Sequence, residues 1–138
     1  VTPEGAALFL QASSSGVQGV AEEVGIRGGI AYLSLVGAGS GRRAVVHTPG
    51  DRWFSVQVDG GFSWDHFEEV ATDDDVRHVL AECVTLATVY VTSGPGPGTV
   101  RRRVGPVLTI RTPDGEVALR RSVADEVRAA LGLRRSGW

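Results

Sequence analysis

Residues Thr72 to Ser93 (TDDDVRHVLAECVTLATVYVTS) form the longest continuously periodic stretch of the chain, and they dictate what the remainder has to supply. Val76, Val79, Leu80, Cys83, Ala87 and Tyr90 recur at intervals of three and four, which places them on one helical face, while Arg77, His78, Glu82 and Thr85 fall mainly elsewhere. Thr72 reads as the cap. Asp73, Asp74 and Asp75 fill the first turn, where carboxylates meet unpaired amides and the positive end of the helix dipole. Gly94 and Pro95 mark the stop. Val84, Val89 and Val91 are β-branched and mediocre helix formers, so tertiary packing must hold this helix more than propensity does. Everything else is short and β-like, and the packing partner is therefore a sheet.

Taken in order, Thr2-Pro3-Glu4 reads as an N-cap followed by proline at the first helical position, with a short helix through Ala12 that Ser13-Ser14-Ser15-Gly16 ends. Leu8, Phe9 and Ala12 are the expected docking residues. Val17 to Gly29 is compatible with a helical turn or a ragged strand, and Gly25, Gly28 and Gly29 favour the extended form. Ile30 to Val36 is a clear strand, nearly apolar throughout and hence expected to be central. Ala44 to His47, Arg52 to Val58 and Phe62 to Phe67 continue as strands, separated by Thr48-Pro49-Gly50-Asp51 and Asp59-Gly60-Gly61, which makes a β-meander. Beyond the main helix, Val107 to Arg111 and Glu116 to Arg120 flank the turn Thr112-Pro113-Asp114-Gly115. Ser122 to Leu131 reads as a closing helix with Ser122 and Asp125 in a capping pair. The expected architecture is a single α+β domain over residues 1–138: a mostly antiparallel sheet packed against one long central helix, with shorter N- and C-terminal helices.

A chain of 138 residues can bury a real core without disulfides or metal, and its one cysteine, Cys83, excludes an internal disulfide. Lying on the apolar helix face, Cys83 reads as a small buried hydrophobe. No segment approaches the length of a membrane span and the first residues lack a secretory pattern, so a cytoplasmic protein without membrane attachment is expected. A net charge of −2 gives no whole-molecule attraction to nucleic acid. The charge is nevertheless bipolar. Acids gather at Asp65, Glu68, Glu69 and Asp73 to Asp75, and arginines at Arg101 to Arg103, Arg120 to Arg121 and Arg134 to Arg135. All fourteen basic residues are arginine, a bias that points to a GC-rich bacterial genome.

Chemical motifs are weak. Gly37-Ala38-Gly39-Ser40-Gly41 resembles a nucleotide loop, but Arg42 stands where the third glycine belongs and a strand follows rather than a helix, so a hairpin loop is the better reading. Asp65 and His66 carry acid–base chemistry, yet adjacent strand residues point to opposite faces. His47, His66 and His78 have no partner at metal-ligand spacing, and no cofactor or metal is expected. Arg101-Arg102-Arg103 lacks interleaved aromatics for stacking on bases. Trp53, Phe54, Phe62, Trp64 and Phe67, by contrast, concentrate aromatics in a chain that is only 7% aromatic. Alternation puts Phe62, Trp64 and His66 on one face of their strand and Ser63, Asp65 and Phe67 on the other.

Through Gly50-Asp51-Arg52-Trp53-Phe54-Ser55 and Asp59-Gly60-Gly61-Phe62-Ser63-Trp64-Asp65-His66-Phe67-Glu68, followed by the acidic-started helix, the chain resembles actinobacterial polymorphic-toxin immunity proteins, the immunity protein 61 family in particular. The resemblance spans Ile30 to Ser93 and rests on aromatics and turns. It implies a non-enzymatic α+β protein that remains in the producing cell's cytoplasm and binds a cognate toxin domain, blocking its active site. A secretion chaperone or adaptor for an exported partner is the alternative. The expected partner surface joins Trp64, Asp65 and His66 to two glycine-rich loops, through Gly39, Arg42 and Arg43 in one and Gly96, Arg101, Arg102 and Arg103 in the other.

Overall fold

The structure is a computed structural model that describes residues 1–67, 72–94, 99–102 and 105–121. The long periodic segment forms a helix, α2, over Asp73–Ser93, and the first helix, α1, runs over Pro3–Ser14. Both begin as their caps dictate. The Thr72 hydroxyl accepts from the Asp75 amide at 3.2 Å while the Asp75 carboxylate accepts from the Thr72 amide at 3.1 Å, a reciprocal capping box. Hydrogen bonds from the side chain and then the backbone of Thr72 hold the Asp75 carboxyl below its ordinary pKa.

Eight strands, β1 (Val20–Arg27), β2 (Ile30–Gly37), β3 (Arg43–Thr48), β4 (Trp53–Val58), β5 (Ser63–Phe67), β6 (Thr99–Arg102), β7 (Gly105–Thr112) and β8 (Gly115–Arg120), make one sheet. Their spatial order is β1-β2-β3-β4-β5-β8-β7-β6, and every pairing among the described residues is antiparallel. The sheet consists of two meanders, β1 to β5 and β6 to β8. Chain order carries α2 across from β5 to β6, and the second meander then folds back so that β8 meets β5. That meeting is narrow, because among the described residues β5 and β8 pair only at Ser63 and Arg120, whereas β7 and β8 pair from Val107↔Arg120 to Thr112↔Gly115.

Register assigns the core face. Leu33 and Leu35 of β2, Val46 of β3, Phe54 and Val56 of β4, Ile110 of β7 and Leu119 of β8 are fully or almost fully buried against α2, which packs on β2, β3, β4 and β7. Val76, Val79, Leu80, Cys83, Ala87 and Tyr90 all face this core, as their spacing requires, and Val84, Leu86 and Val91 widen the stripe because α2 lies over both meanders. Burial pushes the Cys83 thiol up to about 12, so it stays protonated and inert.

One expectation is corrected in part. α1 docks through Ala6 and Leu10, with Ser14 also buried and Phe9, as expected, half-buried against the core, while Leu8 is 69% exposed and Ala12 is exposed. The stripe at i, i+4 and i+8 uses a small residue at its start, which lets α1 come close to the sheet, and the Ser14 hydroxyl satisfies itself on the Leu10 carbonyl at 2.8 Å. β2 is interior, between β1 and β3, as expected, with Ala31, Leu33, Leu35 and Gly37 buried and Ile30, Tyr32, Ser34 and Val36 half-buried on the opposite face. The closing helix from Ser122 lies outside the described residues.

Candidate functional site

The residues expected to form one partner surface are divided among three places. Trp64 and His66 lie on the helix side of the sheet, since they pair with Val56 and Phe54 of the core face. Their rings stack at 5.8 Å with an interplanar angle of 20°. Asp65 points to the other face, exposed, and accepts a 3.3 Å hydrogen bond from the Ser63 hydroxyl. Arg101 and Arg102 belong to β6, the far edge of the sheet, separated from β5 by β8 and β7. Gly96 and Arg103 lie outside the described residues.

The glycine loop after β2 turns out to have a structural duty. The Ser40 hydroxyl donates to the Val91 carbonyl at 2.9 Å, and Arg42 Nε donates to the Tyr90 carbonyl at 2.8 Å. Both acceptors belong to the last turn of α2, where a cation meets the negative dipole end, and the Tyr90 carbonyl shares its acceptor capacity between Arg42 and the Gly94 amide at 2.9 Å. Gly37 has to be glycine because a Cβ there would collide with the Val91 carbonyl oxygen. The Tyr90 hydroxyl in turn donates to Asp59 at 2.9 Å, and the same carboxylate oxygen accepts from the Arg43 amide at 3.0 Å. Burial, and after it the bond to Asp59, raises the Tyr90 pKa well above its ordinary value, so the hydroxyl remains a donor. The loop is thus a clamp on the helix end and Arg42 is committed to it, while the tip from Ala38 to Gly41 and Arg43 are exposed. Arg42→Ala is expected to cost about 1–2 kcal/mol and to lower Tm by roughly 3–10 °C, with Arg42→Lys recovering part of it; calorimetry of the three proteins checks this.

On the face away from the helices, register aligns Tyr32, His47, Ser55 and Asp65 in one row across β2 to β5. A serine, a histidine and an acid in one row invite a hydrolytic reading. The order is wrong for it: the serine stands between the histidine and the acid, whereas a triad needs the histidine in the middle. Ser55 is also 3% exposed and His47 6%, with the imidazole edge-on to Trp53 at 5.4 Å. Beside this row Phe67, opposite Trp53, is 76% exposed.

Trp64, an expected site residue, borders a cleft of about 190 Å³ at the seam between the meanders. Trp64 of β5 forms one wall, Thr112, Asp114, Gly115, Glu116 and Val117 at the β7–β8 hairpin form the other, and Glu82, Thr85 and Leu86 of α2 form the floor. It exists because β5 and β8 diverge beyond their single shared pair. Glu82, Asp114, Glu116 and Val117 were not legible as site residues, since nothing local to them signals that the second meander returns beside Trp64. Among the described residues no cluster of histidine, cysteine or carboxylate side chains is arranged to hold a metal ion, and no helix is long and apolar enough to cross a membrane. No family model matches this chain, and no curated protein or solved structure matches it significantly.

Proposed function

We propose that this chain is a non-catalytic protein-binding domain of the immunity type, which neutralises a cognate secreted toxin domain by occluding its active site in the cytoplasm of the producing cell. The observation that carries this reading is the seam cleft, in which an indole and apolar side chains sit among carboxylates, the composition of a pocket that anchors a partner protein. The resemblance through Trp53, Phe54, Trp64 and the acidic start of α2 points the same way. Two side chains that would serve an enzyme as nucleophiles favour binding over catalysis, since Cys83 is buried and protonated and Ser55 is buried.

Co-expression with the toxin domain of the adjacent reading frame is the direct test. Growth rescue and a stable complex with the purified domain are expected, and Trp64→Ala is expected to weaken that complex by about 2 kcal/mol or more, roughly thirtyfold. Absence of both rescue and binding overturns the reading. Binding only to a region outside the toxin domain, with promotion of its export, replaces it with the adaptor function.

A further inference from the structure

We infer that the seam cleft receives a cationic side chain, an arginine of the bound protein, laid against Trp64 with its charge among Glu82, Asp114 and Glu116. The inference rests on the protein-binding reading above and specifies the chemistry of the contact.

Size is the first constraint. Sites for drug-sized ligands span roughly 300–1,000 Å³, and a cleft of about 190 Å³ suits one long side chain instead. Its lining is the second. Leu86, Val117 and the indole of Trp64 supply an apolar and aromatic surface, while Glu82, Asp114 and Glu116 supply three carboxylates and, among the described residues, no cation lines the cleft. An anionic guest would be repelled, and a purely apolar one would strip water from the carboxylates without replacing it. An arginine satisfies both halves: its methylene stem covers Leu86 and Val117, and its planar guanidinium stacks on an indole and hydrogen-bonds carboxylates.

Among the described residues, neighbouring basic side chains do not occupy the cleft. His78 Nε2 lies 3.2 Å from Glu82 Oε1, and Arg111 reaches Glu116 Oε1 at 2.8 Å, each engaging one oxygen of its partner from outside the lining. Glu82 and Glu116 keep side-chain exposures of 46% and 55%, so both can turn to a guest. The wall is also adaptable, because the β7–β8 hairpin is tied to β5 at one residue pair.

The test uses N-acetyl-arginine amide as the probe, with N-acetyl-citrulline amide as its neutral near-isostere, titrated into the full chain and followed by amide and indole NMR shifts. Saturable shifts confined to the Trp64 indole N–H and to Thr85, Leu86 and Gly115 to Val117 are expected with the arginine compound, and none with citrulline. The double variant Glu82→Gln/Glu116→Gln, whose altered groups are exposed, is expected to keep the wild-type spectrum elsewhere and to weaken binding by about fivefold or more. Equal shifts with citrulline, shifts scattered over the surface, or an unchanged affinity in the double variant would each overturn the inference. Because this readout needs no toxin, it separates the two claims: rescue without arginine binding sinks only the cleft chemistry, and arginine binding without rescue sinks only the immunity reading.

Discussion

Phe54→Ala is expected to destabilise the fold by about 3–5 kcal/mol, within the usual range for deleting a buried aromatic ring and leaving a cavity. Phe54 has no exposed surface, stands second in β4 opposite His66 of β5, and belongs to the same buried core cluster as Val46, Val56 and Leu80, where α2 lies over the sheet. Its ring also contacts His66 at 6.1 Å, which links it to the stacked His66–Trp64 pair of the candidate site. Domains of this kind retain only about 5–15 kcal/mol in total, so the variant forfeits a large share. With a urea slope of roughly 1–3 kcal/mol per M, the midpoint falls by about 1–5 M while the slope itself is unchanged. A loss below about 1 kcal/mol would mean that α2 does not cover β4 as described. The substitution also bears on function, since it undermines the side of β5 that presents Trp64.

What could be read from the chain was what neighbours in sequence determine. The capping box of Thr72 and Asp75, the proline at the start of α1, and turns such as Asp59-Gly60-Gly61 act within a few residues, and each stands where its residues indicated. The separation of Trp64 and His66 from Asp65 onto opposite faces also followed, because strand alternation is local, although which face turns inward did not. Longer-range matters did not. Arg42 is 48 positions from the carbonyl it caps, so its loop read as an unoccupied glycine-rich loop. The cleft joins Trp64 to Glu82 and Glu116, which only the return of β8 to β5 brings together. Arg101 and Arg102 were grouped with Trp64 for their charge, and the same return places them on the opposite edge of the sheet. α1 failed for another reason: Leu8 and Leu10 are equally apolar, and which of them turns inward depends on the surface α1 meets.

Ile110→Ala is expected to cost about 2–5 kcal/mol and, unlike Phe54→Ala, to distribute that cost unevenly. Ile110 is fully buried on β7, opposite Val117 of β8, and belongs to the apolar surface through which the second meander rests on α2. Backbone pairing adds little at this boundary, for β5 and β8 share the one pair at Ser63 and Arg120. Side-chain packing against the helix therefore carries most of the attachment, and removing Ile110 lets β7 and β8 open while β1 to β4, paired strand by strand, remain closed. Native-state hydrogen exchange reads this directly. In the variant, amides of β7 and β8 are expected to lose protection well beyond those of β3 and β4, whereas a uniform loss across all strands would show that the two meanders open only together. The consequence reaches the cleft, whose far wall is the β7–β8 hairpin: a seam that opens at small cost can widen to admit a partner's side chain and close on it. Such opening makes the affinity for that side chain depend on Ile110, which lies outside the lining, and so Ile110→Ala is expected to weaken arginine binding although it removes no contact from the cleft.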